Sequence, residues 1–262
     1  MDLQLNNKII IVTGGAKGIG EGIVKILADE SAVPVIVGRN HEDNQRVVDV
    51  VVKSGGKATQ VVAELSNPIE SKRAVEEILK IHGRIDGVVN NAGVNDGVGL
   101  ENGTYENFMA SIHKNLVHYY LMVHYALPAL KESRGAIVNI SSKTADTGQG
   151  GTSAYAASNG GRNALTREWA VELLPYGIRV NAIIVAECFT PLYAKWIEQF
   201  SDPKAKLKEI ESKIPLGHRM TTAEEIGNTA AFLLSARSSH TTGQLLYVDG
   251  GYVHLDRALL KE

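Results

Sequence analysis

The chain has 262 residues, 44% of them hydrophobic and 21% charged, which is enough apolar material for a large core and excludes a disordered chain. A formal net charge of −2 provides no electrostatic footprint for a nucleic-acid backbone or an anionic membrane, so the expected partners are small molecules or other subunits. The single cysteine, Cys188, cannot form an internal disulfide and no Cys/His cluster has zinc spacing, so a reducing cytoplasm and no metal are expected. Polar Asp2, Gln4, Asn6 and Asn7 stand where a signal peptide needs an unbroken apolar stretch, and no apolar run approaches the roughly 18 residues of a membrane span.

Short β-branched runs recur at Ile9 to Val12, Val33 to Val37, Ala58 to Val62, Ile85 to Val89, Ala136 to Ile140, Arg179 to Val185 and Leu245 to Val248. They read as strands covered on both faces. Between them lie stretches with helical spacing, such as Ile19, Ile23, Ile26 and Leu27, or Val75, Ile78 and Leu79. The alternation predicts a single α/β domain over residues 1–262, a Rossmann-type doubly wound parallel sheet of about seven strands with helices on both faces. The least regular stretch, residues 191–215, reads as a helical flap over the site.

The first strand runs into Thr13-Gly14-Gly15-Ala16-Lys17-Gly18-Ile19-Gly20 and then a helix. Glycines there let the backbone turn sharply and let a pyrophosphate approach the amides at the helix N-terminus. The second strand ends at Gly38, where an NAD-selecting site places a carboxylate for the ribose 2′-hydroxyl. Arg39 follows and Lys17 sits in the loop, so two cations are placed to converge on a 2′-phosphate, favouring NADP over NAD; solvated surface charges are the alternative.

Farther along come Glu64-Leu65, Asn90-Asn91-Ala92-Gly93, Asn115 in a long helical pattern, Ser142 closing Ile137 to Ser142, and Tyr155 thirteen residues later. Val185-Ala186-Glu187-Cys188-Phe189-Thr190 and Val248-Asp249-Gly250-Gly251 complete the series. Together with the T-G-x-x-x-G-x-G loop, this ordered set resembles the short-chain dehydrogenase/reductase family along nearly the whole chain. The resemblance implies catalytic roles for Asn115, Ser142 and Tyr155. It implies cofactor contacts from Gly14, Lys17, Gly18, Ile19, Gly20, Arg39, Glu64, Leu65, Asn91, Ala92, Gly93, Tyr155, Asn159, Thr190 and the backbone of Cys188. The chain departs from the family pattern at Glu64, where Asp is usual, and before Cys188, where Pro-Gly is usual.

A third departure touches the chemistry. The family motif is Y-x-x-x-K, and here Tyr155 is followed by Asn159. Tyr155 serves as a base if its pKa falls from about 10 toward neutrality, with Ser142 holding the substrate oxygen and Asn115 supporting a water relay. Asn159 shares the helical face of Tyr155 and retains a hydrogen bond for the ribose, but it lacks the charge. Reduced activity near pH 7 and a need for alkaline conditions follow, and Asn159→Lys is expected to recover up to about a hundredfold. A slow or alkaline enzyme, a chain altered at this position and a catalytically retired cofactor-binding relative all remain open. Lys143 and Arg162 are alternative sources of charge, although exposure to solvent is the commoner role for such cations.

The variable positions around the site are polar: Asn95, Asp96, Lys143, Gln149, Glu187, Trp196 and His254. With Ser142 they suit a polyhydroxylated ligand better than an acyl chain, unless they merely face water from loops. Asn91 to Gly97, Ser141 to Ala145, Thr147 to Gly150, Leu165 to Ala170 and the tail Asp249 to Leu259 look like bacterial L-fucose dehydrogenases. That likeness implies oxidation of the anomeric carbon of a sugar such as L-fucose, with an oxoacyl reductase or a noncatalytic NADP-binding protein as alternatives. His113, His118 and His124 lack the i, i+4 interval of a helical metal pair and are expected in subunit packing. The family resemblance implies a homotetramer.

Overall fold

In the computed structural model, residues 1–256 are described; Arg257 to Leu259, the end of the tail motif, lie outside them. Seven strands form one parallel sheet: β1 Ile9–Thr13, β2 Val33–Gly38, β3 Thr59–Val62, β4 Gly87–Asn90, β5 Ala136–Ser142, β6 Arg179–Val185 and β7 Leu245–Val248. Their spatial order is β3-β2-β1-β4-β5-β6-β7. Parallel neighbours need crossovers, and helices supply them: α1 Gly18–Asp29, α2 His41–Lys53, α3 Pro68–His82, α4 Tyr105–Ile112, α5 His118–Ser133, α6 Ser153–Glu172, α7 Pro191–Ile197, α8 Pro203–Glu211 and α9 Ala223–Leu234.

The period of two along each strand divides the core into two layers. Ile10 and Val12 of β1 join Ile36, Val89 and Val138 beneath Ile23 and Leu27 of α1 and Ile226 and Leu233 of α9. Ile9 and Ile11 join Val35, Val88 and Ile137 against Ile78 of α3, Met122 of α5 and Trp169 of α6. The chain lays β2 and β3 to one side of β1 and β4 onward to the other, so a crevice opens at the carboxyl ends of β1 and β4. Gly22 of α1 lies so close to α9 that a Cβ would stand 2.7 Å from the Ala223 carbonyl carbon, so the two helices pack tightly on one face of the sheet.

Several elements differ from the sequence expectation. The edge strands are not covered on both faces; Val62 of β3 is 37% exposed, as an edge permits. β4 begins at Gly87 rather than Ile85, because Asp86 turns its buried carboxylate to the Ile9 amide at 3.0 Å, Lys8 and Arg84. Asn115 is not in one continuous helix, since a π-helical turn, His113–Val117, joins α4 to α5. Residues 191–215 contain α7 and α8, capped by the side chains of Thr190 and Asp202, each with a proline in its first turn. Among the described residues, no helix is long and apolar enough to cross a membrane.

Candidate active site

The crevice is a cleft of about 570 Å³ running from Lys17, Arg39 and Asp43 past Asn91, Ser142 and Tyr155 to Thr190 and Tyr193. Its floor is stitched by Thr13, whose Oγ1 accepts hydrogen bonds from the amides of Asn91 (2.8 Å) and Ala92 (3.1 Å). The Asn91 side chain donates in turn to the carbonyls of Thr13 and Gly14. A Cβ on Gly14 would stand 3.0 Å from the Ala92 Cα, one on Gly18 3.0 Å from Thr190, and one on Gly20 2.2 Å from the Gly14 carbonyl oxygen. Gly14 and Gly18 also have positive φ, which other residues adopt only with strain. Among the described residues no side chain caps α1, and the first-turn Glu21 is paired with Lys25 and Arg46, so the amides at this N-terminus face the cleft open to a pyrophosphate. Gly14, Gly18, Ile19, Asn91, Ala92 and Gly93 all line the cleft, while Gly20 lies behind it; this cradle fits a dinucleotide.

At the adenosine end the two cations expected to be free are paired. Lys17 Nζ lies 2.5 Å from Asp43, and Arg39 lies 3.6 Å from Glu64. Burial works against ionisation of Glu64, but hydrogen bonds from Ser66 and the nearby Arg39 outweigh it and hold the carboxyl below its ordinary value. Gly38 leaves room for Asn44, which donates to the Gly38 carbonyl at 3.0 Å and whose Oδ1 a Cβ would approach to 2.8 Å. Leu65 lines the same end.

At the catalytic end, β5 delivers Ser142 and α6 delivers Tyr155 to the cleft wall. Asn115 is buried in the π-helical turn, where its Oδ1 accepts from the Val94 amide at 2.8 Å and its Nδ2 donates to Ser111. Such turns put a side chain out of α-helical register, a device common at functional sites. Asn159 is 0% exposed and stands behind the cleft wall. Its Nδ2 donates to the Tyr155 carbonyl (2.8 Å) and Thr144 Oγ1 (3.5 Å), and its Oδ1 accepts from Arg162 (2.9 Å). The amide expected to hold a ribose hydroxyl is thus engaged within the protein.

Two residues stand where sequence patterns offer little sign of them. Arg162, expected in solvent, is 3% exposed and lines the cleft. His118, expected in subunit packing, is buried in the cleft wall beside Tyr119, with Nε2 2.9 Å from the Lys114 carbonyl. Burial, joined by the charge of Arg162, pushes its pKa down to about 3, so the imidazole is neutral. Its position three residues after Asn115, one helical turn along, is the one sequence signal that places it there. His113 and His124 are exposed.

Beyond Ser142, the predicted Lys143, Glu187 and Trp196 stand beside the cleft rather than in its lining, and Lys143 is not a solvated cation. It is 8% exposed, ion-paired with Glu187, and its Nζ lies 4.0 Å from the centre of the Tyr252 ring. Burial and the neighbouring Glu187 push the Tyr193 hydroxyl well above its usual pKa. Trp196, 40% exposed, packs edge-on against Tyr193 with ring centres 5.1 Å apart. Asn95 lines the cleft, and Asp96 accepts from Ser111 at 2.7 Å. Gln149 is exposed in the loop after β5 and does not reach the cleft lining, while His254 packs on Tyr247. Burial raises the Cys188 thiol to about 12, which leaves only the backbone of this residue to serve the cleft. Thr190 caps α7, accepting from the Tyr193 amide at 3.2 Å.

A phosphate cradle at the switch point of a parallel sheet, leading to a Ser and a Tyr on its wall, is the arrangement of a dinucleotide-dependent oxidoreductase. The chain belongs to the short-chain dehydrogenase/reductase family: residues 14–253 match the family model described as Enoyl-(Acyl carrier protein) reductase. It is 34% identical to the 3-oxoacyl-[acyl-carrier-protein] reductase FabG of Thermotoga maritima, over 96% of this chain and 100% of that protein. It is also 34% identical to the L-fucose dehydrogenase of Oryctolagus cuniculus, over 93% of this chain and 84% of that one. Among solved structures, Cj0485 dehydrogenase superposes with a TM-score of 0.94 at 46% identity, covering 100% of both chains. The ligand-free aldohexose dehydrogenase of Thermoplasma acidophilum gives 0.90 at 30% identity, again covering 100% of both. The protein is therefore a short-chain NAD(P)-dependent dehydrogenase/reductase acting on a small molecule.

Proposed function

We propose that the protein oxidises the anomeric carbon of a sugar such as L-fucose, with NADP as the preferred cofactor. The observation that carries this reading is the Lys143–Glu187 pair beside Ser142, bordered by Tyr193 and Trp196, which offers charged and phenolic groups with an aromatic edge. A ring bearing several hydroxyls meets those groups well, whereas an acyl chain leaves them desolvated without partners. Bound NADP supplies the hydride acceptor. Tyr155 takes the proton of the anomeric hydroxyl, Ser142 donates to the substrate oxygen, and a lactone is the product. Asn95, Lys143, Glu187 and Trp196 form the sugar subsite, with Gln149 reaching it only if its loop moves. Helices α7 and α8 form the flap over this subsite. A homotetramer in a reducing cytoplasm is the proposed working form; exposed Tyr120 on α5 and Val171 on α6 supply apolar contact for it.

Turnover assays of aldoses with NAD and NADP, and of short β-oxoacyl thioesters with NADH and NADPH, test the substrate class. L-Fucose is expected to react, with D-arabinose and L-galactose slower; reaction of the thioesters with no sugar turned over defeats the proposal and supports the reductase activity named for FabG. The cofactor preference has its own expected size. A charge-assisted phosphate contact is worth roughly 1.5 to 3 kcal/mol, about tenfold to a hundredfold in affinity. Here a 2′-phosphate must first draw Arg39 from Glu64 and Lys17 from Asp43, so the preference for NADP is expected near the lower end, about tenfold. Asp43→Asn frees Lys17 and is expected to widen it, and cofactor titrations showing equal NAD and NADP affinity in wild type would contradict the assignment.

A further inference from the structure

We propose that the Arg162 guanidinium is the buried cation serving Tyr155 in place of the lysine that position 159 lacks, which makes it a positioning residue for proton transfer. The inference rests on the reading of Tyr155 as proton acceptor. On α6, residues 155, 159 and 162 recur at helical spacing and share a face. Arg162 folds back along that face, placing its Cζ 5.9 Å from the centre of the Tyr155 ring and 4.3 Å from that of Tyr119.

Among the described residues, every hydrogen-bond partner of this guanidinium is a neutral oxygen. Its Nε donates to the Asn115 carbonyl at 2.7 Å, and one Nη donates to the Ile140 carbonyl at 3.2 Å and Asn159 Oδ1 at 2.9 Å. The other Nη reaches Asn115 Oδ1 at 3.5 Å. A buried charge without a carboxylate is expensive, so its hydrogen bonds satisfy its donors while its field remains. That field acts on its surroundings, since it helps keep His118 neutral. Room for it comes from Gly93, where a Cβ would stand 2.9 Å from both the guanidinium and Asn115 Oδ1.

Other charged groups around the cleft are engaged elsewhere. Lys143 is paired with Glu187, Lys114 is exposed near Asp96, and Glu64 is held by Ser66 and Arg39. His118 and Tyr119 face Arg162 from α5 as neutral groups raised or lowered away from ionisation. The sequence expectation for Asn159→Lys therefore changes. An ammonium at 159 would replace the amide oxygen that accepts from Arg162 and confront the guanidinium with like charge. Restoring the family arrangement takes the paired exchange Asn159→Lys with Arg162→Leu.

The test uses the whole chain and four variants: Arg162→Met, Arg162→Lys, the paired exchange and Tyr155→Phe. Near-ultraviolet tyrosinate absorbance is titrated against pH without substrate, and subtracting the Tyr155→Phe curve isolates the Tyr155 step. In Arg162→Met that step is expected to move up by about one pH unit or more, and turnover near neutrality to fall about tenfold or more, the loss shrinking as pH rises. Arg162→Lys recovers part of both, and the paired exchange keeps the Tyr155 step close to its wild-type position. An unmoved step in folded Arg162→Met, or a loss of turnover equal at every pH, overturns the proposal. If Arg162→Met does not fold, a paired exchange whose Tyr155 step lies well below wild type, so that the lysine adds a charge effect and losing Arg162 costs none, overturns it instead. A step that moves as expected in a protein that oxidises no sugar supports the role of Arg162 and rejects the sugar reading alone.

Discussion

Tyr155→Phe is expected to lower turnover by about a thousandfold while leaving the fold intact. The substitution removes one oxygen and keeps the ring, so the packing that sets the ring 5.9 Å from Arg162 persists, and the melting temperature should change little. What disappears is the group that takes the hydroxyl proton. A positioned acid or base contributes typically about a hundredfold to ten-thousandfold, and a thousandfold corresponds to about 4 kcal/mol of barrier. Hydride loss from a carbinol carbon without concurrent proton removal leaves positive charge on the substrate oxygen, and Ser142 can only donate or accept one hydrogen bond to it. The residual rate should therefore lose the pH dependence of wild type, and cofactor affinity should fall far less than turnover. A variant retaining turnover within tenfold of wild type would show that another group accepts the proton. Steady-state kinetics over a pH series, with cofactor binding measured separately, distinguish these outcomes.

The features legible in the sequence were those that local rules decide. Short continuous runs rich in Ile and Val mark all seven strands, because a strand of a mostly covered parallel sheet is apolar along its whole length of about five or six residues. The glycine loop was legible for the same reason: Gly14 and Gly18 need positive φ, and Gly20 must admit the Gly14 carbonyl oxygen. Ser142, Tyr155 and Asn115 stand out in the sequence as an ordered set, and the fold brings Ser142 and Tyr155 to the cleft wall with Asn115 buried behind it. The state of the charges was not legible, because their partners come from far along the chain. Lys143 meets Glu187, 44 residues away, and Lys17 meets Asp43, 26 residues away. Composition treats each such cation as solvated, which holds on average and fails inside a cleft. Arg162 is the sharpest case, since its burial depends on Gly93, the π-helical turn and the Ile140 carbonyl meeting in space. The exposed edges of β3 and β7 were missed for a related reason, as strand order is a property of the whole sheet.

Glu187→Gln is expected to destabilise the protein by about 3 kcal/mol, because it leaves the Lys143 ammonium in the site without its counter-charge. The side chains are 10% and 14% exposed, so water screens the remaining charge poorly, and the Tyr252 ring compensates only in part. For a chain of this size, that cost lowers the melting temperature by several degrees. Removing both charges has a different consequence. Lys143→Met with Glu187→Gln leaves no stranded ion, and its stability should return to within about 1 kcal/mol of wild type. If the pair holds sugar hydroxyls, however, the double variant recovers its fold without recovering its substrate. The KM for sugar should rise by tenfold or more, since each lost charge-assisted hydrogen bond costs roughly 1.5 to 3 kcal/mol, while cofactor affinity stays near wild type. Thermal unfolding of the wild type, the two single variants and the double variant gives the coupling energy of the pair, and KM measured on the same four proteins shows whether it meets the sugar. A double variant that is stable and binds sugar as wild type does would assign the pair to holding β5 against the α7 entry segment, and to nothing in the substrate.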